Sequence, residues 1–85
     1  MSGKYASLGN YLAGLPSDKR DVTLSFEHIE RIINDKLPAS ATKHRAWWSN
    51  ERNGMHVNAH AWMDAGWKLD TVNFSQKWAR FLRVK

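Results

Sequence analysis

Residues 67–84 read WKLDTVNFSQKWARFLRV, and this stretch decides the class of fold that the chain can adopt. Two runs rich in β-forming residues lie on either side of a short polar turn at residues 75–76. In the second run Ala79 and Phe81 occupy alternate positions, which is the two-residue period of a strand with one buried face. The stretch therefore predicts a β-hairpin that follows the rest of the domain.

Three segments ahead of the hairpin carry apolar residues at the spacing of an amphipathic helix. The first, residues 4–15, stops in front of a proline, which disfavours a helical residue before it. The second, residues 26–34, has an N-cap candidate in Ser25. The third, residues 55–66, ends at Gly66, which we expect either to take a positive φ or to let the next strand approach closely.

A short run at residues 22–26, VTLSF, alternates apolar and polar residues and predicts a strand ahead of the second helix. The order helix, strand, helix, loop, helix, strand, strand predicts an α+β fold over residues 1–85. This single domain is winged helix-turn-helix-like, with three helices, a small antiparallel sheet and a C-terminal β-hairpin. The segment between the second and third predicted helices, residues 35–54, is longer than the turn that usually joins these helices in that fold. A plain α+β domain with helices packed on the sheet is the competing prediction.

The composition restricts the class of protein. The 85 residues include five Trp, three Phe and two Tyr, enough large aromatic side chains to build the core of one small domain. No cysteine is present, which excludes disulfides and cysteine-based zinc sites and fits a reducing compartment. No apolar run is long enough to span a membrane, and the first residues do not resemble a signal peptide. We therefore expect a cytoplasmic protein without a membrane partner.

Two adjacent tryptophans stand in LPASATKHRAWWSN, residues 37–50. Consecutive residues of a regular element point in different directions, so one element face cannot bury both. We expect one of Trp47 and Trp48 to pack against the region of Trp62 and Trp67. The other is then expected near the surface, stacked on Arg45 or on a ligand, where a platform for single-stranded nucleic acid is one alternative.

Basic and amide side chains cluster around these tryptophans, and the formal net charge of the chain is +5. Lys and Arg neutralise phosphates, whereas Arg and Asn also read base edges. These residues therefore predict contact with nucleic acid, double-stranded DNA first, and the alternative is a solvated loop in a basic protein. The hairpin adds four cations, Lys77, Arg80, Arg83 and Lys85, on the wing of the predicted fold. The alternative for them is positive charge that protects an edge strand from aggregation. The candidate contacts are Lys43, His44, Arg45, Asn50, Arg52, Asn53, His56, Asn58, Lys77 and Arg80.

Catalytic and metal-binding patterns are weak. His56 and His60 form an H-x-x-x-H pair, but Val57 occupies the place where zinc peptidases carry a glutamate, and no third ligand is evident. The carboxylates are scattered, and neither a nucleophile elbow nor a phosphate-binding glycine loop occurs. We predict no enzymatic activity, no metal and no cofactor.

Four sequence segments carry a family resemblance. They are LSFEHIERII, LPASATKHRAWWSN, HVNAHAWMDAGW and ARFLR, which lie within residues 24–83. Their pattern resembles a family of small bacterial, archaeal and phage domains that is functionally uncharacterised as a class. The resemblance implies a DNA-associated module, in some proteins joined to nuclease-type domains, without an agreed mechanism.

Two functions remain open at this point. The first is a non-enzymatic DNA-binding protein, either a small transcriptional regulator or an accessory DNA-binding module. The second is a protein-interaction module that acts on a nuclease or a regulator, because Trp and Arg are enriched at interface hot spots. A homodimer is compatible with both functions.

Overall fold

The computed structural model describes residues 4–50 and 57–84, with Val57 described by its backbone alone. The described part is an α+β fold with four helices and one antiparallel three-stranded sheet that ends in a hairpin. The α+β class, the small antiparallel sheet and the C-terminal hairpin are thereby confirmed. The elements are α1 (Ala6–Ala13), β1 (Asp21–Ser25), α2 (Phe26–Ile33), α3 (Ala39–Lys43), a 3-10 turn (Arg45–Trp48), α4 (Val57–Asp64), β2 (Trp67–Asn73) and β3 (Trp78–Arg83).

The stretch that the predicted element order counts as a loop contains two of these elements. Helix α3 and the 3-10 turn both lie within residues 35–50, so the described fold has one helix more than the sequence predicts. Helix α3 follows the extended Pro38, and its short length explains why periodicity gave no signal there. The predicted start of α4 at Met55 lies outside the described residues.

The first strand is shifted by one residue from the predicted range 22–26, because it begins at Asp21 and Phe26 is already the first residue of α2. Ser25 takes an extended conformation, and its hydroxyl oxygen accepts a hydrogen bond from the backbone N–H of His28 at 3.0 Å. This contact satisfies one of the free N–H groups at the helix start. The predicted N-cap is confirmed.

Strand β3 is the centre of the sheet, whose order is β1-β3-β2. Val22 of β1 lies opposite Phe81, and so does Leu69 of β2. The two-residue period places Phe81, Ala79 and Leu69 on the face that the helices cover, where all three are buried. The predicted hairpin and its alternation are confirmed.

Two glycines set the geometry around α4. A side-chain carbon at Gly9 would lie 2.7 Å from the carbonyl oxygen of Ala61, so α1 approaches α4 too closely for any larger residue. Gly66 has a φ of 87°, a conformation that glycine adopts without strain, and it joins α4 directly to β2. The positive φ expected at Gly66 is confirmed. No helix in the described ranges is long and apolar enough to cross a membrane.

Candidate nucleic-acid interface

Both tryptophans of the adjacent pair are buried, which corrects the prediction that one of them lies near the surface. Trp47 is 8% exposed and Trp48 is 0% exposed. Trp48 stacks against Phe26 with ring centroids 5.4 Å apart, and against Trp62 at 6.0 Å. Trp47 meets the ring of Tyr5 edge-on at 5.7 Å. Neither tryptophan is available as a stacking platform.

The tight 3-10 geometry explains how consecutive tryptophans are both covered. A 3-10 turn rotates successive side chains by about 120°, and here two such directions meet different parts of the core. Trp48 points between α2 and α4, whereas Trp47 points towards the start of α1. The indole N–H of Trp48 also donates to the carbonyl oxygen of Ala41 at 2.8 Å, which ties α3 to the turn.

The connection between α3 and the turn carries three of the predicted contacts on its surface. Lys43, His44 and Arg45 are consecutive and exposed. Their side chains form no hydrogen bond or ion pair with any residue in the described ranges. We refer to Lys43, His44 and Arg45 as the basic corner. Within the part of the chain that the structure describes, it offers cations without a carboxylate partner, next to a turn that the buried tryptophans hold in place.

Asn50 has a structural role that its sequence context did not reveal. Its amide donates to the carbonyl oxygen of Leu69 at 2.9 Å. Its side-chain oxygen accepts from the backbone N–H of Leu69 and from the indole N–H of Trp62, both at 2.9 Å. These bonds occupy the groups that would read an adenine edge, so Asn50 serves the fold rather than the predicted base contact.

Asn58 is a second correction, because it is buried with 4% of its surface exposed. Its amide donates to the carbonyl oxygen of Trp47 at 2.7 Å. A residue in this position has no access to a nucleic acid. Asn50 and Asn58 thus fix the chain before and after residues 51–56, while the predicted contacts Arg52, Asn53 and His56 lie outside the described residues.

The hairpin turn lies next to the same aromatic cluster. Lys77 is exposed at this turn with a φ of 61°, and its carbonyl oxygen accepts from the backbone N–H of Phe26 at 2.8 Å. Phe26 also stacks on Trp48 and meets Phe74 of the turn edge-on. One phenyl ring therefore joins the hairpin turn to the segment that carries the basic corner.

Arg80 is not a free cation, and its phosphate contact stays a prediction. Its guanidinium group forms ion pairs with Asp21 at 2.6 Å and with Asp70 at 3.1 Å. The hydrogen bond from Arg80 lowers the pKa of Asp21, and the same bond raises the pKa of Arg80. Two carboxylates on the flanking strands thus neutralise Arg80 at the middle of the central strand.

The side chain of Arg83 also forms contacts within the fold. Its guanidinium carbon lies 4.6 Å from the centroid of the Trp67 ring, within the range of a cation–π contact. The same group donates to the carbonyl oxygens of Leu15, Pro16 and Lys19. The arginine side chains of β3 therefore hold strands and loops together, which leaves Lys77 as the exposed cation at this hairpin turn.

The described residues contain no group of three or more His, Asp or Glu that could hold a metal ion. The pair His56 and His60 is described only at His60. Helix α4 contains no Lys or Arg between Val57 and Asp64.

Comparison with known proteins gives one match. A family model described as a domain of unknown function, DUF7662, matches residues 5–84. The match includes the segments that carry the resemblance, and it confirms the prediction of a small, functionally uncharacterised family. No curated protein and no solved structure matches the chain.

Proposed function

We propose a function for this chain, which belongs to the DUF7662 family of domains of unknown function: it binds double-stranded DNA without catalysing a reaction. The observation that carries the proposal is the basic corner, where Lys43, His44 and Arg45 are exposed and free of carboxylate partners in the described ranges. Cations without an internal partner contribute most to the free energy of binding phosphates, because their binding releases the counterions condensed on the duplex.

The packing beneath the basic corner supports binding by a preformed surface. Trp48 is held between two aromatic rings and by its indole hydrogen bond, so the backbone at Arg45 is ordered before a ligand arrives. Less conformational entropy is then lost on binding. We infer that Lys77 at the hairpin turn supplies a further phosphate contact, because its carbonyl oxygen is bonded to the backbone of Phe26, whose ring stacks on Trp48.

The order of elements supports a winged helix-like mode of docking. In this proposed mode the β2–β3 hairpin serves as the wing and α4 as the recognition helix, and the sheet order β1-β3-β2 supports that assignment. Because α4 lacks Lys and Arg, we infer that phosphate contacts at the basic corner and at Lys77 dominate. The expected behaviour is weak dependence on sequence and strong dependence on salt. A transcriptional regulator or an accessory DNA-binding module in the cytoplasm fits these properties.

The test is a salt series of binding to a fluorescent random-sequence duplex and to the matching single strand. The variant Lys43→Ala/Arg45→Ala removes two charges from the basic corner. We expect it to weaken duplex binding at least about tenfold at low salt and to lower the salt slope by about two. The matched control is Arg20→Ala/Arg31→Ala, which removes two exposed cations elsewhere.

The comparison of the two double variants decides the outcome. A much larger loss in the basic-corner variant supports the site. An equal loss in both variants would mean that net charge alone drives binding. No binding of the wild-type protein at low salt, to either strand form, rejects the proposal.

The uncovered face of the sheet favours a second candidate function, the docking of a protein such as a nuclease or a regulator. Trp78, Arg80 and Leu82 follow one another at alternate positions of the central strand, and all three are partly exposed. The ion pairs of Arg80 leave this face without excess positive charge at its centre. Under this candidate function, the Trp78→Ala variant no longer binds the partner protein, whereas the Lys43→Ala/Arg45→Ala variant still binds it.

A further inference from the structure

The two edge strands of the sheet, β2 and β1, differ in the features that prevent pairing with another chain. Strand β2 has a register irregularity between Leu69 and Thr71, carries the exposed Lys68, and has both backbone groups of Leu69 bonded to the amide of Asn50. Bulges, lysines and covering side chains are the devices by which proteins prevent an edge strand from pairing with another chain. Here all three lie on β2.

Strand β1 lacks each of these devices. Asp21–Ser25 contains neither lysine nor proline, and all five residues pair with β3 in one unbroken register. The side chain of Thr23 at the middle of the strand is exposed. No covering side chain or loop in the described ranges forms a hydrogen bond with the backbone of Asp21 or Thr23.

The register shows which backbone groups of β1 are free. The N–H of Arg83 donates to the carbonyl oxygen of Arg20, and the N–H of Phe26 donates to that of Lys77. Hydrogen-bonded and non-bonded pairs alternate along an antiparallel ladder. Val22 and Leu24 therefore direct their backbone groups towards β3, whereas Asp21, Thr23 and Ser25 direct theirs to the open edge.

We propose that this edge is a self-association site, at which β1 pairs antiparallel with β1 of a second copy about a two-fold axis at Thr23. The N–H of Thr23 donates to the carbonyl oxygen of the partner subunit's Thr23, and the reverse bond follows by symmetry. The N–H of Ser25 donates to the carbonyl oxygen of the partner subunit's Asp21. This register gives the largest overlap of the two strands, and it makes one six-stranded sheet from two three-stranded sheets.

Charge complementarity favours a second copy as the occupant. In the register centred on Thr23, Lys19 lies towards the partner subunit's Glu27, and both side chains are exposed in the single chain. The symmetry makes this pairing twice. On the covered face, the half-buried Val22 lies opposite the partner subunit's Leu24, an apolar cross-strand pair. The proposal goes beyond DNA binding and does not depend on it.

The experiment is sedimentation equilibrium of the full chain from micromolar to millimolar concentration. Thr23→Pro removes an N–H that no partner in the described ranges uses, so the fold tolerates it as an edge-strand proline. We expect it to raise the dimer dissociation constant at least about tenfold, because both central hydrogen bonds are lost. A thermal melt of each variant verifies that the monomer is folded.

A second variant avoids any change of backbone. Thr23→Lys places two like charges opposite each other in the dimer and is expected to weaken it. Its matched control is Thr71→Lys, an exposed position on the other edge strand, which is expected to leave association unchanged. Lys19→Glu and Glu27→Lys should each weaken the dimer, and the double variant should restore it.

The outcomes are distinct. Concentration-dependent dimerisation that both Thr23 variants weaken, and that Thr71→Lys does not, supports the proposal. A wild-type protein that remains monomeric at millimolar concentration overturns it. A dimer that forms equally well in both folded Thr23 variants also overturns it, because the interface is then elsewhere.

Discussion

The side-chain amide of Asn50 forms hydrogen bonds with both backbone groups of Leu69, donating to its carbonyl oxygen and accepting from its N–H, each at 2.9 Å. The register pairs Leu69 with Phe81 in a non-bonded position, so these groups of Leu69 point to the edge of the sheet. One asparagine side chain therefore occupies the place of a neighbouring strand, and the indole of Trp62 holds it there.

We expect Asn50→Ala to lower the free energy of unfolding by about 1–3 kcal/mol, because the variant leaves Leu69 and the indole of Trp62 without these partners. Urea denaturation measures the change. The control is Asn10→Ala, an exposed residue of α1 whose side chain forms no hydrogen bond in the described ranges. A change within about 0.5 kcal/mol is expected for the control. Equal stability of the two variants would contradict the structural role of Asn50.

Gly9→Ala is expected to destabilise the protein by about 1–3 kcal/mol, although alanine is the better helix former. The new methyl group would meet the backbone oxygen of Ala61 at 2.7 Å and push α1 away from α4. Gly14→Ala is the matched control, since its φ is −84° and its nearest contact is 3.3 Å. Thermal unfolding of both variants distinguishes the effect of a clash at Gly9 from the effect that replacing any glycine by alanine would have. Equal melting temperatures would mean that α1 and α4 lie further apart than the 2.7 Å contact implies.

Acid is expected to weaken the fold through Asp21. The hydrogen bond from Arg80 holds the pKa of Asp21 below its ordinary value, so the folded state favours the carboxylate. The stabilisation is therefore present above the unfolded pKa of about 4 and is lost as pH falls through the lower folded value. Asp21→Asn should reduce the loss of stability between about pH 5 and pH 2. Asp18→Asn, which removes an exposed carboxylate without an ion pair in the described ranges, should leave the acid dependence nearly unchanged.

Iodide quenching of tryptophan fluorescence tests the burial of the adjacent pair. Trp47, Trp48, Trp62 and Trp67 are buried, whereas Trp78 is partly exposed on the uncovered face of the sheet. We expect Trp78→Phe to remove most of the quenchable fluorescence of the folded protein. Urea-unfolded protein, in which all tryptophans are accessible, provides the reference. Substantial quenching that persists in folded Trp78→Phe would show that one of the other tryptophans is exposed.

The features that sequence predicted correctly are those with local causes. Ser25 is a cap because of its own hydroxyl and the helix that follows it. Gly66 takes a positive φ where α4 turns into β2, and the hairpin follows from alternation within residues 67–84. Each of these signals lies within a few residues of its structural effect.

The features that sequence missed depend on partners far along the chain. Asn50 bonds to a residue 19 positions away, and Arg80 pairs with Asp21 across 59 positions. A basic or amide side chain looks like a ligand contact until its internal partner is known. Trp47 and Trp48 were misassigned for a related reason, because their burial requires core on two sides of one short turn.

Asn50 and Asn58 attach the chain to the folded frame on both sides of residues 51–56. The hydrogen bonds of these two anchors run to Trp47, Trp62 and Leu69, all of which lie in the described ranges. The described frame therefore has its own points of attachment on either side of that segment, and a substitution at either asparagine acts on the frame directly.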